Sequence, residues 1–142
     1  MSNNIICIDA NFLVRLVSSH PSETIYLQLW TQWKNNNYQI FAPTLCYYEV
    51  SNALYRMNKA NLLSTENANL ALEYALNLDI ILYGNIGLHI QASKLAKQLN
   101  LSAAYDAHYL ALAQLLESDF YTADKKLYNS VKDVFSWVHL VE

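Results

Sequence analysis

Glycine and proline are nearly missing from this chain, whose 142 residues carry two of each. Isolated glycines such as Gly84 and Gly87 exclude a phosphate-cradling P-loop and the GxGxxG turn of dinucleotide-binding folds, which need several glycines at fixed spacing. So little of either residue also leaves no flexible linker. No repeat or low-complexity tract divides the chain, and residues 1–142 read as a single domain of the commonest size. Cysteine is as scarce. Cys7 and Cys46 stand alone inside apolar runs, with no CxxC or Cys/His spacing. They read as small buried thiols of a reducing cytoplasm rather than as a disulfide or a zinc site.

Charge is thin as well. Asp, Glu, Lys and Arg make up 15% of the residues against about a quarter in a typical domain, so several helices are expected to be buried on more than one face. Long hydrophobic runs are nevertheless absent. No stretch without a charge is longer than residues 80–93, which contain Gly84, Asn85, Gly87, His89 and Gln91 and cannot span a membrane. The apolar residues 5–8 follow two asparagines and no basic residue, which is not a signal peptide. No GxSxG elbow or HExxH helix occurs, and His20, His89, His108 and His139 are scattered. His108 lies two residues from Asp106, hence on another helix face, and reads as structural.

What is present is an alternation of short apolar runs with amphipathic stretches. Residues 5–8, 38–42, 80–83, 120–123 and 136–141 read as strands. Residues 11–18, 43–59, 88–99, 102–116 and 125–131 read as helices, as does a stretch opened by a Ser64-Thr65 cap and carrying Leu70, Leu72, Tyr74, Ala75 and Leu76. After a break at Ser19-His20-Pro21, Ser22 is expected to cap a further helix, with Glu23 in its first turn and Ile25, Leu29 and Trp33 facing the core. Pro43 is expected at a helix entry and Ser102 as an N-cap. Strands alternating with helices imply βαβ units: an α/β domain with a parallel sheet covered by helices on both faces.

In open parallel sheets, ligands bind beyond the carboxyl ends of the strands. Asp9 closes the first strand and Asp124 follows the 120–123 strand, so both belong to that edge. Asp106 falls in the first turn of a helix, where the dipole favours negative charge. Glu49 lies mid-helix with Leu45, Tyr48, Asn52, Ala53 and Arg56 on its own face. Each acid also has a purely structural use. Asp9 and Asp124 could cap the helices that follow them, Glu49 could pair with Arg56, and Asp106 could serve the dipole. Together in one cleft, four carboxylates would repel unless a cation held them. Oxygen ligands without histidine or thiolate suit Mg²⁺ or Mn²⁺ rather than zinc. The net charge of −3 disfavours a general nucleic-acid coat, but the excess lies in these four acids: without them, eight acidic residues face nine basic ones.

The run Ile6-Cys7-Ile8-Asp9-Ala10-Asn11 resembles the opening strand of PIN domains, especially the VapC-like toxins of toxin–antitoxin pairs. Pro43 to Leu54, including Glu49 and Asn52, is similar to their second motif, Tyr105 to Ala113 with Asp106 to the third, and Thr122 to Leu127 with Asp124 to the fourth. The likeness is colinear over nearly the whole chain. It implies a three-layer α/β/α domain and a Mg²⁺- or Mn²⁺-dependent endoribonuclease that leaves 5′-phosphate and 3′-hydroxyl ends. Asp9, Glu49, Asp106 and Asp124 would be its metal-site and catalytic acids, with Asn11 and Thr122 as small polar side chains beside the metal. Arg15, Lys125 and Lys126 could neutralise RNA phosphates. A protein antitoxin and a second copy of the chain are the implied partners, and Tyr47, Tyr48, Tyr55 and Tyr74 are candidate interface aromatics. Two rivals stand beside this: a catalytically silent adaptor of the same fold, and an aspartate-based Mg²⁺-dependent phosphatase or phosphotransferase. The latter would require an acid where Asn11 stands.

Overall fold

The computed structural model describes residues 4–18 and 24–142. Its first strand, β1 (Ile5–Ile8), shows why the sheet is central: the consecutive residues Ile6, Cys7 and Ile8 are all buried, so both faces of the strand are covered. The remaining elements follow as α1 (Ala10–Ser18), α2 (Ile25–Asn35), β2 (Gln39–Pro43), α3 (Leu45–Lys59), α4 (Thr65–Leu76), β3 (Ile80–Tyr83), α5 (Ile86–Gln98), α6 (Tyr105–Leu115), β4 (Asp119–Thr122), α7 (Lys125–Val131) and β5 (Val138–Leu140). All strand pairings are parallel, in the order β3-β2-β1-β4-β5. The expected α/β domain with a parallel central sheet is thus the observed one. The chain builds outward from β1 through β2 to β3, then returns to place β4 on the opposite side of β1. The switch point between β1 and β4 opens the crevice where such sheets bind ligands.

Low charge has the expected consequence in α6. Ala107, Tyr109, Leu110, Ala111, Leu112 and Ala113 are all buried, so this helix is enclosed nearly all round. It packs against β1, β2 and β4 and, most extensively, against α5. Among the described residues no helix is long and apolar enough to cross a membrane.

Local expectations fail where a helix boundary or face depended on packing. The face of α2 that enters the core is Tyr26, Trp30 and Trp33, not Ile25, Leu29 and Trp33; Ile25 remains 41% exposed. Trp33 stacks on Phe12 and Tyr26 meets the edge of the same ring, so aromatic fit around Phe12 rotates the helix. The cap of α2 is Thr24, whose hydroxyl accepts from Leu27 N at 3.2 Å; the break at 19–21, Ser22 and Glu23 lie outside the described residues. Pro43 ends β2 instead of entering α3. Ser102 does not cap α6, which starts at Tyr105 after Ala104. The turn that closes α5, with Leu101 N bonded to Ala96 O, uses the intervening residues to reverse the chain.

Candidate active site

Asp9, the first residue past β1, is 3% exposed, and each of its carboxylate oxygens accepts a hydrogen bond. Its Oδ1 accepts from Phe12 N at 2.8 Å, capping α1, and its Oδ2 accepts from the Thr122 hydroxyl at 2.5 Å. Thr122 is the last residue of β4, so this bond spans the switch point. The same hydroxyl oxygen accepts from Asp124 N at 2.9 Å. Asp124 in turn caps α7, accepting from Leu127 N at 3.1 Å. Both the capping use and the placement at the strand ends therefore hold for these two aspartates.

From the flanking helices come the other two acids. Asp106 is the second residue of α6, near the positive end of the helix dipole. Glu49 projects from the middle of α3, and no ion pair with Arg56 forms among the described residues, where the pairs are Lys34–Asp79 and His139–Asp119. Instead the Tyr109 hydroxyl donates to Glu49 Oε1 at 2.5 Å. Asp9, Glu49 and Asp106 line one cleft of about 200 Å³, together with Asn11, Asn52, Arg56 and Tyr109. Thr122 and Asp124 do not line it; Thr122 is bonded to Asp9, and Asp124 to Thr122.

The electrostatics show that the acids sense one another. The Asp9 carboxyl is pushed up to about 7, first by burial; the bonds from Thr122 and Phe12 oppose the rise, and the charges of Asp124 and Asp106 add to it. Asp106 is also raised, by burial and then by Asp124 and Glu49, against the pull of Lys126. Burial raises the Tyr26 hydroxyl, and Arg15 opposes that rise.

No histidine or thiol lines the cleft, and its donors are carboxylate and amide oxygens. That chemistry fits a hard divalent cation. Among the described residues no three His, Cys, Asp or Glu side chains form a ready-made cage for an ion. Mg²⁺ does not need one, since it keeps several waters and is commonly bound through one or two carboxylates. The cysteines are free and buried, each raised to about 12 by that burial. His108 bonds His89 and the Ala104 carbonyl, and His139 bonds Asp119, so these rings are engaged away from the acids; His20 lies outside the described residues. Tyr109 is the cleft residue that sequence reasoning overlooked. The available signal was its spacing, three residues after Asp106 on the same helical face.

Comparison with known proteins places these observations in a family. The PIN domain model matches residues 6–132, a span that contains all four acids. Among solved structures, the crystal structure of PAE2754 from Pyrobaculum aerophilum is similar with a TM-score of 0.70 and 19% identity, covering 95% of this chain and 83% of that one. Identity this low speaks for the fold alone. No curated protein matches the sequence.

Proposed function

Since the chain belongs to the PIN-domain family, a nuclease-type fold, we propose that it is a Mg²⁺- or Mn²⁺-dependent endoribonuclease, the toxin of a toxin–antitoxin pair. The observation that carries this reading is the convergence of Asp9, Glu49 and Asp106 on one cleft beside the topological switch point. One or two of those carboxylates would hold the cation directly and the rest through its waters, and Asp124 adds negative charge felt by both Asp9 and Asp106. Bound there, the cation would supply a nucleophilic water and counter the charge that develops on the phosphate. Thr122 and the backbone N–H of Phe12 fix the Asp9 carboxylate, so its orientation is set before substrate arrives. Asn11 and Asn52 offer amide groups to the phosphate or its waters, and Arg56 offers a cation on the same wall. Because water is the nucleophile, the 2′-hydroxyl has no covalent role, and the products carry a 5′-phosphate and a 3′-hydroxyl.

A homodimer and an antitoxin segment complete the reading. They are supported by the aromatic surface of α3 and α4, where Tyr48 and Tyr55 are 80% and 62% exposed and Tyr74 half exposed. Tyr47 is only partly buried, and its hydroxyl is already bonded to the Ala75 carbonyl.

The test is cleavage of a structured single-stranded RNA by purified protein in Mg²⁺ or Mn²⁺, with end-group analysis of the products. Asp9→Asn and Asp106→Asn, which exchange an anionic oxygen for an amide of nearly the same shape, should each remove activity by at least 10²-fold, the scale on which positioned catalytic groups act, while the variants stay folded. Undiminished cleavage by both folded variants would rule the reading out.

A further inference from the structure

We propose that Tyr109 is the positioning residue of this cleft: its hydroxyl holds Glu49 in the rotamer that presents Oε2 to the divalent cation, and so sets the affinity of the site. The inference rests on the metal-site reading above. Glu49 needs such a holder. It is only partly buried, stands mid-helix and forms no ion pair among the described residues, so without a partner its side chain would lose rotamer freedom on binding metal.

Tyr109 is suited to supply that order beforehand. It is 2% exposed, and its ring stacks on Phe120 of β4 with centroids 6.2 Å apart, so the core fixes where the hydroxyl lies. A carboxylate can only accept, so the phenol must be the donor, and the bond to Oε1 leaves the other oxygen open. The spacing of Asp106 and Tyr109 puts both on one face of α6, and both line the cleft. One helix therefore contributes an acid of its own and orients the acid of α3 across the cleft. Partners that orient a metal ligand typically account for 10–100-fold in metal affinity or activity.

The test is Mn²⁺ binding, read by the free-ion EPR signal, for wild type, Tyr109→Phe, Glu49→Gln and the double variant. Tyr109→Phe keeps the ring and its stacking and removes one oxygen, and its folding is checked by a thermal melt. It should weaken Mn²⁺ about 10-fold or more, with no further loss when added to Glu49→Gln, because the hydroxyl, which also bonds the buried Cys46, reaches the metal through that carboxylate. Wild-type affinity in Tyr109→Phe alongside a weakened Glu49→Gln would overturn the positioning role while leaving the metal site standing. An equal loss in both backgrounds would do the same, since it would mark a general structural effect. Wild-type affinity in Glu49→Gln and Asp9→Asn alike would remove the metal site and the proposal with it.

Discussion

At Asp9, one carboxylate caps α1, ties β1 to β4 through Thr122 and faces the cleft, and its burial with other acids is what lifts it to about 7. The unfolded chain would ionise this group near 3.8, so between about pH 4 and 7 the folded state binds more protons than the unfolded one. Stability from Asp9 is therefore full below pH 4 and lost as pH rises through 7. Metal-free wild type should melt lower at pH 8 than at pH 5, relative to Asp9→Asn, which lacks the titration; parallel pH profiles for the two would contradict the shift. Thr122→Val tests the same contact from the other side. It leaves Asp9 Oδ2 and Asp124 N without their partner in a fully buried place, a loss of about 1–3 kcal/mol, read as a lower midpoint in urea. That Asp9 ends a strand is legible in the sequence. Its bond to a threonine 113 positions away is not, because only the pairing of β1 with β4 brings the two together.

Among the elements, the helix ends show what scarcity of glycine does. Among the described residues, four helices close with a left-handed residue, and the positions fall to Asn37, Asn61, Asn100 and Glu117. Asparagine tolerates this conformation, which explains how the chain manages with two glycines. Glu117, at φ 50°, has no such excuse. Glu117→Gly should stabilise the protein by roughly 1 kcal/mol, raising Tm by a few degrees; a lower Tm would show that its side chain contributes more than the strain costs. In α2, a helix was legible from its apolar spacing but its buried face was not, since the stripes 25/29/33 and 26/30/33 differ by a small rotation that only the fit around Phe12 decides. Trp30→Ala should accordingly cost about 3–5 kcal/mol, whereas Ile25→Ser should stay within about 0.5 kcal/mol of wild type, both by urea denaturation.

For the molecule as a whole, alternation of strands and helices was enough to infer a parallel sheet, and colinear motifs were enough to suggest the four acids. Neither reveals that β4 returns beside β1, and that return turns residues scattered along the chain into one crevice. The same assembly leaves Tyr48, Tyr55 and Tyr74 outside, and if they seat a second copy, Tyr48→Arg with Tyr55→Arg should shift sedimentation from dimer to monomer. The most direct test of the metal cleft is thermal unfolding of wild type and Asp9→Asn with Mn²⁺, against NaCl of matched ionic strength. A site present only in the folded protein should stabilise wild type by about 2.7 kcal/mol at a hundredfold excess over its dissociation constant, and Asp9→Asn far less. Equal responses to Mn²⁺ and NaCl in both proteins would mean general screening and no specific site.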